Sequence, residues 1–171
     1  MRVGIGYDSH RFESGRLLVL GGVQVPDHPG LKGHSDGDAV THALIDALLG
    51  AAALGDIGYH FPDTDAHWQG ADSLDLLAAT VRLIEERDYQ VVNADITIVA
   101  ESPRVGPWVD PMVERIAERL RIASSCVSIK GKTNEGMGWI GRGEGLAVMA
   151  VVLLDQIGDI DTPDASIGSG G

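Results

Sequence analysis

The sequence predicts a single α+β domain, a two-layer sandwich with helices on one face of a mixed, mostly four-stranded sheet and a small hairpin beside it. Its 171 residues match the length of one domain. Its hydrophobic content of 44% is enough for one sizeable core. Segments with alternating apolar residues are interleaved with segments of helical periodicity, which is the order expected for helices packed on a sheet.

The first elements are a strand and a hairpin. In the strand, apolar residues alternate with small or polar ones: Val3, Ile5 and Tyr7 against Gly4, Gly6, Asp8 and His10. This alternation predicts one buried and one polar face, with Asp8 and His10 on the same side. Residues 17–20 and 23–25, joined by two glycines, predict the hairpin, and residues 27–37 are expected to form a loop.

The first helix is expected to begin at a cap formed by Ser35 or Asp36 and to reach about Leu54. Its apolar stripe consists of Val40, Ala43, Leu44, Ala47, Leu48 and Ala51. Asp38, His42 and Asp46 follow one another at intervals of four residues, which places them along one side of the helix. Residues 55–71 have no periodicity and predict a long loop, a feature that is usually functional in a compact domain.

The second half continues with a helix over residues 73–87, a strand over 92–100, a helix over 109–120 and a strand over 127–129. A loop over residues 131–145 contains six glycines. The run 146–154 is apolar on both faces, which predicts a central or doubly covered strand. We expect residues 1–157 to form one domain and residues 158–171 a flexible tail.

The composition excludes several classes of partner. The chain has 13 Lys and Arg residues against 25 Asp and Glu residues, a net charge of −12. Such acidity argues against broad binding to nucleic acid or to an anionic membrane. No signal peptide or apolar membrane span is evident. The one cysteine, Cys126, has no partner for an intrachain disulfide, and we therefore expect a reducing, cytoplasmic location.

Residue types that bind metals are concentrated in the first part of the chain, where all six histidines lie within residues 1–67. Asp8, His10 and His42 would supply a carboxylate and two imidazoles, a set that suits Zn²⁺ with a fourth position open. Asp46, one turn after His42, is a candidate for fixing the tautomer of that histidine, although an ordinary exposed helix carboxylate is the commoner case. The alternative is a surface Asp-x-His pair and an unrelated helix histidine.

Two segments are candidates for binding anions. Residues 33–38 place small and hydroxyl-bearing residues at a helix N-terminus, which attracts anions, although the same string also fits an ordinary helix cap. Lys130, Lys132 and Arg142 stand among glycines in an acidic chain and suggest an anion cradle, in which Glu135 would require a divalent cation. The alternative is an exposed glycine loop with incidental charges. The sequence contains no P-loop, dinucleotide fingerprint or catalytic triad motif.

Five motifs together closely resemble the 2-C-methyl-D-erythritol 2,4-cyclodiphosphate synthases: GYDSHRF at 6–12, GHSDGDAVTHALIDALLGAAALGDIGYHFPDTD at 33–65, GADS at 70–73, ESPRVGP at 101–107 and KTNEGMGWIGRGEG at 132–145. The resemblance implies conversion of 4-diphosphocytidyl-2-C-methyl-D-erythritol 2-phosphate into the cyclic diphosphate and CMP, in non-mevalonate isoprenoid synthesis. It also implies a homotrimer of the chorismate-mutase-like or ferredoxin-like class, with active sites between subunits.

The resemblance assigns roles to individual residues. Asp8, His10 and His42 match the zinc ligands, Glu135 matches the ligand of Mg²⁺ or Mn²⁺, and His34 and Thr133 match the catalytic groups that orient the diphosphate. The methylerythritol phosphate pocket corresponds to Ser35, Asp56, Ile57, Gly58, Phe61, Pro62, Asp63, Thr64 and Asp65. The cytidine pocket corresponds to Ala100, Glu101, Ser102, Pro103, Arg104, Val105, Gly106, Lys132, Thr133, Asn134 and Glu135. Further substrate contacts are expected at Asp8, Ser9, His10, His34, Trp139 and Arg142.

Some positions depart from the common pattern of this family. Arg104 stands where lysine is common and Lys132 where threonine is common, while Trp139-Ile140 replaces a frequent Phe-Thr pair.

Other functions fit the same residues. A metal-dependent phosphohydrolase would use the same zinc to activate water. A non-catalytic trimer would bind an isoprenoid diphosphate near its axis through Arg142 and Glu144. A trimer with purely structural zinc is a third alternative, although an open ligand position argues against it.

Overall fold

The computed structural model describes residues 1–33, 35–62 and 70–158. In chain order these form β1 (Arg2–Glu13), β2 (Leu18–Leu20), β3 (Val23–Val25), β4 (Gly30–Leu31), α1 (Ala39–Ala52), α2 (Ile57–His60), α3 (Ser73–Glu85), β5 (Tyr89–Val99), α4 (Val109–Leu120), β6 (Val127–Lys132), α5 (Gly138–Gly141) and β7 (Gly145–Gln156). Short 3₁₀ turns at Gly106–Trp108 and Ser124–Cys126 flank α4.

The main sheet is mixed and has five strands in the order β4-β1-β7-β5-β6, and the β2–β3 hairpin stands apart from it. Strand β7 is antiparallel to both β1 and β5, whereas β5 and β6 are parallel. The four long strands and the hairpin agree with the prediction from the sequence. The expectation of a continuous loop over residues 27–37 was wrong, because Gly30 and Leu31 pair with the end of β1. Two residues are too few to show a periodic pattern.

The helices form one layer on the sheet. Helix α1 packs across β1 and β7 and also contacts α3, and α4 contacts α3 and β6. Eleven of the fourteen residues of α1 are buried, because the sheet covers one side of this helix and α3 covers another. Among the described residues, no helix combines the length and apolarity needed to cross a bilayer.

The prediction about the two faces of β1 was wrong. Gly4 and Gly6 lie against α1, where an added Cβ atom at either position would come within 1.9 Å of a backbone oxygen of the helix. Val3, Ile5 and Tyr7 point the other way and are 69%, 70% and 56% exposed. Alternation identifies the residues that share a face, but it cannot show which face the chain's own helices cover. Glycine is on the covered face because it lets the helix approach the strand closely.

A row of apolar side chains continues across the uncovered side of the sheet. Ile5 pairs with Val151, and Tyr7 pairs with Met149, on the neighbouring strand β7. Met149 and Val151 are 44% and 42% exposed. We call the surface formed by Val3, Ile5, Tyr7, Met149 and Val151 the open sheet face. Strand β7 is central, as its apolar sequence predicted, but no described residue covers one of its faces.

Both predicted long loops contain short helices. Helix α2 interrupts the segment 55–71, and α5 lies within the segment 131–145. Strand β6 also extends to Lys132, inside the second of these segments. The predicted site residues His34, Asp63, Thr64 and Asp65 lie outside the described residues, as does most of the predicted tail, residues 159–171.

Candidate active site

The N-terminus of α1 is fixed by the buried side chain of Asp38. Its carboxylate caps the helix by accepting hydrogen bonds from the backbone N–H groups of Val40 and Thr41, both at 3.1 Å. It also accepts from Gly21 and Gly22 in the hairpin turn, at 2.8 and 2.7 Å. Burial raises the pKa of Asp38, while the bonds from Gly22 and Thr41 oppose that rise. Asp38 thus joins the hairpin to the helix one turn before His42.

Asp8, His10 and His42 meet where β1 passes this end of α1. The Oδ2 atom of Asp8 lies 2.8 Å from Nε2 of His10 and 3.2 Å from Nδ1 of His42. One ligand atom from each residue lies within 4.8 Å of the others, and all three side chains are half-buried. The structure therefore brings together the three residues that the sequence proposed as metal ligands.

The three side chains influence one another electrostatically. Burial alone would raise the pKa of Asp8, but hydrogen bonds with His10 and His42 outweigh it and hold the pKa of this carboxyl well below its usual range. The hydrogen bond to Asp8 raises the pKa of His10 above its ordinary value of 6.5, against the opposing effect of burial. Asp8 and His10 thus each favour the charged form of the other.

The donor set and its surroundings fit a divalent transition metal. A tetrahedral zinc ion with bonds of about 2.0–2.1 Å needs ligand atoms roughly 3.3 Å apart, which is close to the spacings around Asp8. In each imidazole, the ring nitrogen that points away from Asp8 has a hydrogen-bond partner, as is usual for metal-bound histidines. Nδ1 of His10 lies 2.6 Å from the backbone oxygen of Lys32, and Nε2 of His42 lies 3.0 Å from Oγ of Ser73 and 3.2 Å from Oγ of Ser35.

The prediction that Asp46 fixes the tautomer of His42 was wrong. The carboxylate of Asp46 accepts a hydrogen bond of 2.8 Å from the backbone N–H of Ile57, and it thus ties α2 to α1. Burial raises the pKa of Asp46. The outer nitrogen of His42 faces Ser35 and Ser73 instead. Ser73 belongs to the GADS motif, but the helix spacing used to select Asp46 could not reveal a contact from α3.

Among the described residues of the predicted methylerythritol phosphate pocket, one contacts this cluster directly and others begin helix α2, which Asp46 ties to α1. Ser35 contacts His42, and Asp56, Ile57 and Gly58 form the N-terminus of α2, where the Asp56 side chain accepts from the backbone of Tyr59 at 2.9 Å. Phe61 is buried just after this helix and Pro62 follows it. The exposed residue Ser9 donates its backbone N–H to Oδ1 of Asp8 at 2.8 Å.

A second group of predicted residues meets at the C-terminal ends of β5 and β6. These strands are parallel, so the segments that follow them leave the same edge of the sheet. The backbone N–H of Ala100 donates to the oxygen of Lys132 at 2.9 Å, and buried Val105 packs over Gly131. The predicted cytidine-pocket segments 100–106 and 132–135 are therefore neighbours in the fold.

Glu101 organises the loop that carries Thr133 and Glu135. Its Oε1 atom accepts backbone hydrogen bonds from Asn134 at 2.9 Å and from Gly136 at 3.0 Å. Glu135 and Gly136 both adopt left-handed backbone conformations, with φ of 51° and 72°. The hydroxyl of Thr133 donates to Oε1 of Glu135 at 2.8 Å. Glu101 thus acts on the backbone of the loop, a role that its sequence motif did not indicate.

Two of the three basic residues proposed as an anion cradle are paired with carboxylates of the same chain. Lys130 forms an exposed ion pair with Asp95, and this contact lowers the pKa of Asp95. Arg142 donates from Nε to Glu144 at 2.6 Å. Trp139, on α5, is 37% exposed. The cradle hypothesis is therefore weakened for Lys130 and Arg142, whose charges are already paired.

The two groups of residues lie at the same end of the strands, but the first is on β1 and the second follows β5 and β6, towards the other edge of the sheet. Ala147 pairs with Ser9 on one side and with Val99 on the other, and Val99 in turn pairs with Lys132. The row from β1 to β6 spans three strand spacings, or about 14 Å. The metal-type cluster and the predicted cytidine segments are therefore separate patches within one chain.

Comparison with known proteins identifies the family. The profile of the YgbB family matches residues 1–155. The 2-C-methyl-D-erythritol 2,4-cyclodiphosphate synthase of Symbiobacterium thermophilum is 58% identical over 154 residues, which are 90% of this chain and 98% of that protein. The enzyme of the same name from Dechloromonas aromatica is 53% identical over 157 residues, 92% of this chain and 98% of that protein.

Solved structures agree with the sequence comparison. A 2C-methyl-D-erythritol-2,4-cyclodiphosphate synthase in a CDP-bound form superposes with a TM-score of 0.83 at 41% identity, covering 90% of this chain and 100% of that one. Its fold is thus the mixed five-stranded fold described above. The chain therefore belongs to the YgbB family, the 2-C-methyl-D-erythritol 2,4-cyclodiphosphate synthases.

Proposed function

We propose that this protein converts 4-diphosphocytidyl-2-C-methyl-D-erythritol 2-phosphate into 2-C-methyl-D-erythritol 2,4-cyclodiphosphate and CMP, a step of non-mevalonate isoprenoid synthesis. The observation that carries this proposal is the Asp8–His10–His42 cluster in a chain 58% identical to a synthase of that name. In the reaction, an oxygen of the 2-phosphate bonds to the β-phosphorus, and the bond from that phosphorus to the CMP oxygen breaks. No water is consumed, so the enzyme is a phosphorus–oxygen lyase.

The proposed cofactors follow from the donor chemistry of the two patches. Asp8, His10 and His42 would hold Zn²⁺ or another divalent transition metal, and Glu135 would hold Mg²⁺ or Mn²⁺. When bound, these ions withdraw negative charge from the diphosphate. The support in this chain is the close spacing of the three inner ligand atoms and the hydrogen-bond partners of both outer imidazole nitrogens.

The chain's own residues would mainly position the substrate. The 2-phosphate is already ionised near pH 7, so the attack needs no general base, and folding the substrate into an attack geometry supplies much of the rate. Ser35, Asp56, Ile57, Gly58, Phe61 and Pro62 would hold the methylerythritol phosphate. Thr133, whose hydroxyl is oriented by Glu135, would hold the diphosphate together with His34. Segments 100–106 and 132–135 would hold the cytidine, with Trp139 and Arg142 as further contacts.

We further propose a cytoplasmic homotrimer of the chorismate-mutase-like or ferredoxin-like class, with each active site between two subunits. The open sheet face supports an assembly, because an exposed apolar patch of this kind marks an interaction surface. The metal-type cluster and the cytidine segments lie two to three strand spacings apart, about 10–14 Å, and this separation supports a shared site, since a neighbouring subunit would supply the second patch. An isoprenoid diphosphate on the trimer axis, near Arg142 and Glu144, remains a prediction.

The test compares metal content and CMP release for the wild type, His42→Ala and the control His28→Ala, in water enriched in ¹⁸O. His28 packs on Phe12 outside the cluster. We expect His42→Ala to lose bound zinc and CMP release together, His28→Ala to keep both, and the product to contain no ¹⁸O. Full activity of His42→Ala or of chelated wild type would contradict the metal assignment. Linear products with ¹⁸O would indicate a hydrolase, and substrate binding without CMP release a binding protein.

A further inference from the structure

The hydroxyl group of Ser73 lies between His42 and a carboxylate outside the Asp8–His10–His42 cluster. Ser73 is the first residue of α3 and is 0% exposed. Its Oγ atom lies 2.5 Å from Oδ1 of Asp36 and 3.0 Å from Nε2 of His42. The backbone N–H of Ser73 also donates to Oδ2 of Asp36, at 3.1 Å. Asp36 therefore binds Ser73 through both of its carboxylate oxygens.

The chemistry of the three groups fixes the direction of these hydrogen bonds. An ionised carboxylate can only accept, so the Ser73 hydroxyl donates its proton to Asp36. The serine oxygen is then left to accept from Nε2 of His42, which must carry a proton to make this bond. With Nε2 protonated, Nδ1 is the nitrogen of His42 that can bind a metal, and it is the one that faces Asp8.

The position of Asp36 makes the arrangement rigid. Its Oδ1 atom also accepts from the backbone N–H of Asp38, at 3.2 Å, so it is attached to the cap of α1. The same carboxylate thus connects the start of α1, which carries His42, to the start of α3, which carries Ser73. Because Ser73 is fully buried, bulk water cannot replace its hydroxyl without a rearrangement of the two helices.

We infer that Asp36 and Ser73 are positioning residues that set the tautomer and ring orientation of His42 through a carboxylate–hydroxyl–imidazole relay. This inference deepens the proposed function, because it rests on the proposed metal site. It also accounts for the GADS segment, in which Ser73 is held by its backbone and its side chain at once. The relay predicts that metal affinity depends on a hydroxyl group that touches neither metal nor substrate.

The test measures the affinity for Co²⁺ and for Zn²⁺ by competition with a chromophoric chelator. Loss of such an outer partner typically weakens metal binding about 10- to 100-fold, and we expect this for Ser73→Ala. Ser73→Thr, which keeps the hydroxyl, should stay within about fivefold of the wild type. The exposed control Ser124→Ala should bind as the wild type does. If Ser73→Ala does not fold, Asp36→Asn replaces it, with an expected loss of at least about threefold.

A second readout is independent of catalysis. In the Co²⁺-loaded protein, the ring N–H proton of His42 should exchange with water faster in Ser73→Ala than in the wild type, as followed by ¹H NMR. The ring N–H of His10, which is held by the backbone of Lys32, provides an internal reference that should not change. A general loosening of the fold would alter both protons, whereas loss of the relay alters only that of His42.

The outcomes separate this inference from the proposed function. If the wild type binds neither ion, the metal site itself is wrong. If the wild type binds and Ser73→Ala binds within about twofold of it, the relay is overturned while the metal site stands. Ser35 also approaches Nε2 of His42, at 3.2 Å. Weakened binding by Ser35→Ala, with normal binding by Ser73→Ala, would overturn the relay in favour of Ser35.

Discussion

Glu101 offers a sharp test of how the loop of Thr133 and Glu135 is held. Both backbone hydrogen bonds to this loop end on the same atom, Oε1. Glutamine keeps a carbonyl oxygen at that position, whereas alanine removes it. Glu101→Gln should therefore preserve the loop, and Glu101→Ala should release it.

The size of the effect follows from the two bonds and the backbone they stabilise. Each bond contributes about 1–1.5 kcal/mol at this half-buried site. The left-handed conformation of Glu135 costs about 1–2 kcal/mol, so without the two bonds the loop favours other conformations. A loss of about 2–3 kcal/mol in loop ordering corresponds to roughly a 30- to 150-fold fall in kcat/KM. We expect Glu101→Gln to stay within about fivefold of the wild type.

The assay is steady-state CMP release for the two variants, with Glu114→Ala, an exposed helix substitution, as the control. Equal activity of Glu101→Ala and Glu101→Gln, both close to wild type, would refute the view that Glu101 orders the loop. Equal and large losses in both variants would also refute the view that Glu101 orders the loop. The charge of Glu101 would then act directly on the substrate. Only a large loss confined to alanine supports the structural account.

Three further predictions concern stability, assembly and pH. Asp38→Ala removes the acceptor of several buried donors, and urea titration should show a free energy of unfolding lower by about 3–5 kcal/mol. The control Asp72→Ala removes a simple helix cap and should cost about 1 kcal/mol. Equal losses in the two variants would contradict the special role of Asp38. Ile5→Glu charges the open sheet face and should convert a trimer into monomers in sedimentation analysis, and an unchanged trimer would exclude that face from the interface. Asp8 raises the pKa of His10 above 6.5 in the metal-free protein. The stability that this pair contributes should therefore be present below pH 6.5 and decline as the pH rises through the raised pKa of His10. A melting temperature of the chelated protein that does not fall over this pH range would contradict the prediction.

The elements that the sequence predicted well are those with long periodic patterns. The run 146–154 became the central strand β7, and the apolar stripe from Val40 became α1, because both patterns persist over several turns or residue pairs. Strand β4 and helix α2 were missed, since two or four residues cannot establish a period. Their formation depends on contacts with β1 and with Asp46, which are distant in sequence.

The candidate site shows a similar division between pattern and contact. Asp8 and His10 could be placed on one side of a strand by alternation alone, and His42 on one side of a helix. The sequence could not show that α3 brings Ser73 to His42, and the only partner that it offered for this histidine was Asp46, a neighbour on the same helix. The prediction of which face of β1 is buried was wrong for a similar reason. Gly4 and Gly6 have no side chain that would indicate a close contact with a helix.

The measurement that tests the central claim most directly is ³¹P NMR of the purified protein with 4-diphosphocytidyl-2-C-methyl-D-erythritol 2-phosphate, Zn²⁺ and Mg²⁺, beside a chelator-treated sample. We predict two coupled resonances of a cyclic diphosphate together with CMP, both absent after chelation. Unchanged substrate in the metal-containing sample, or linear phosphate products in place of the cyclic diphosphate, would contradict the proposed synthase.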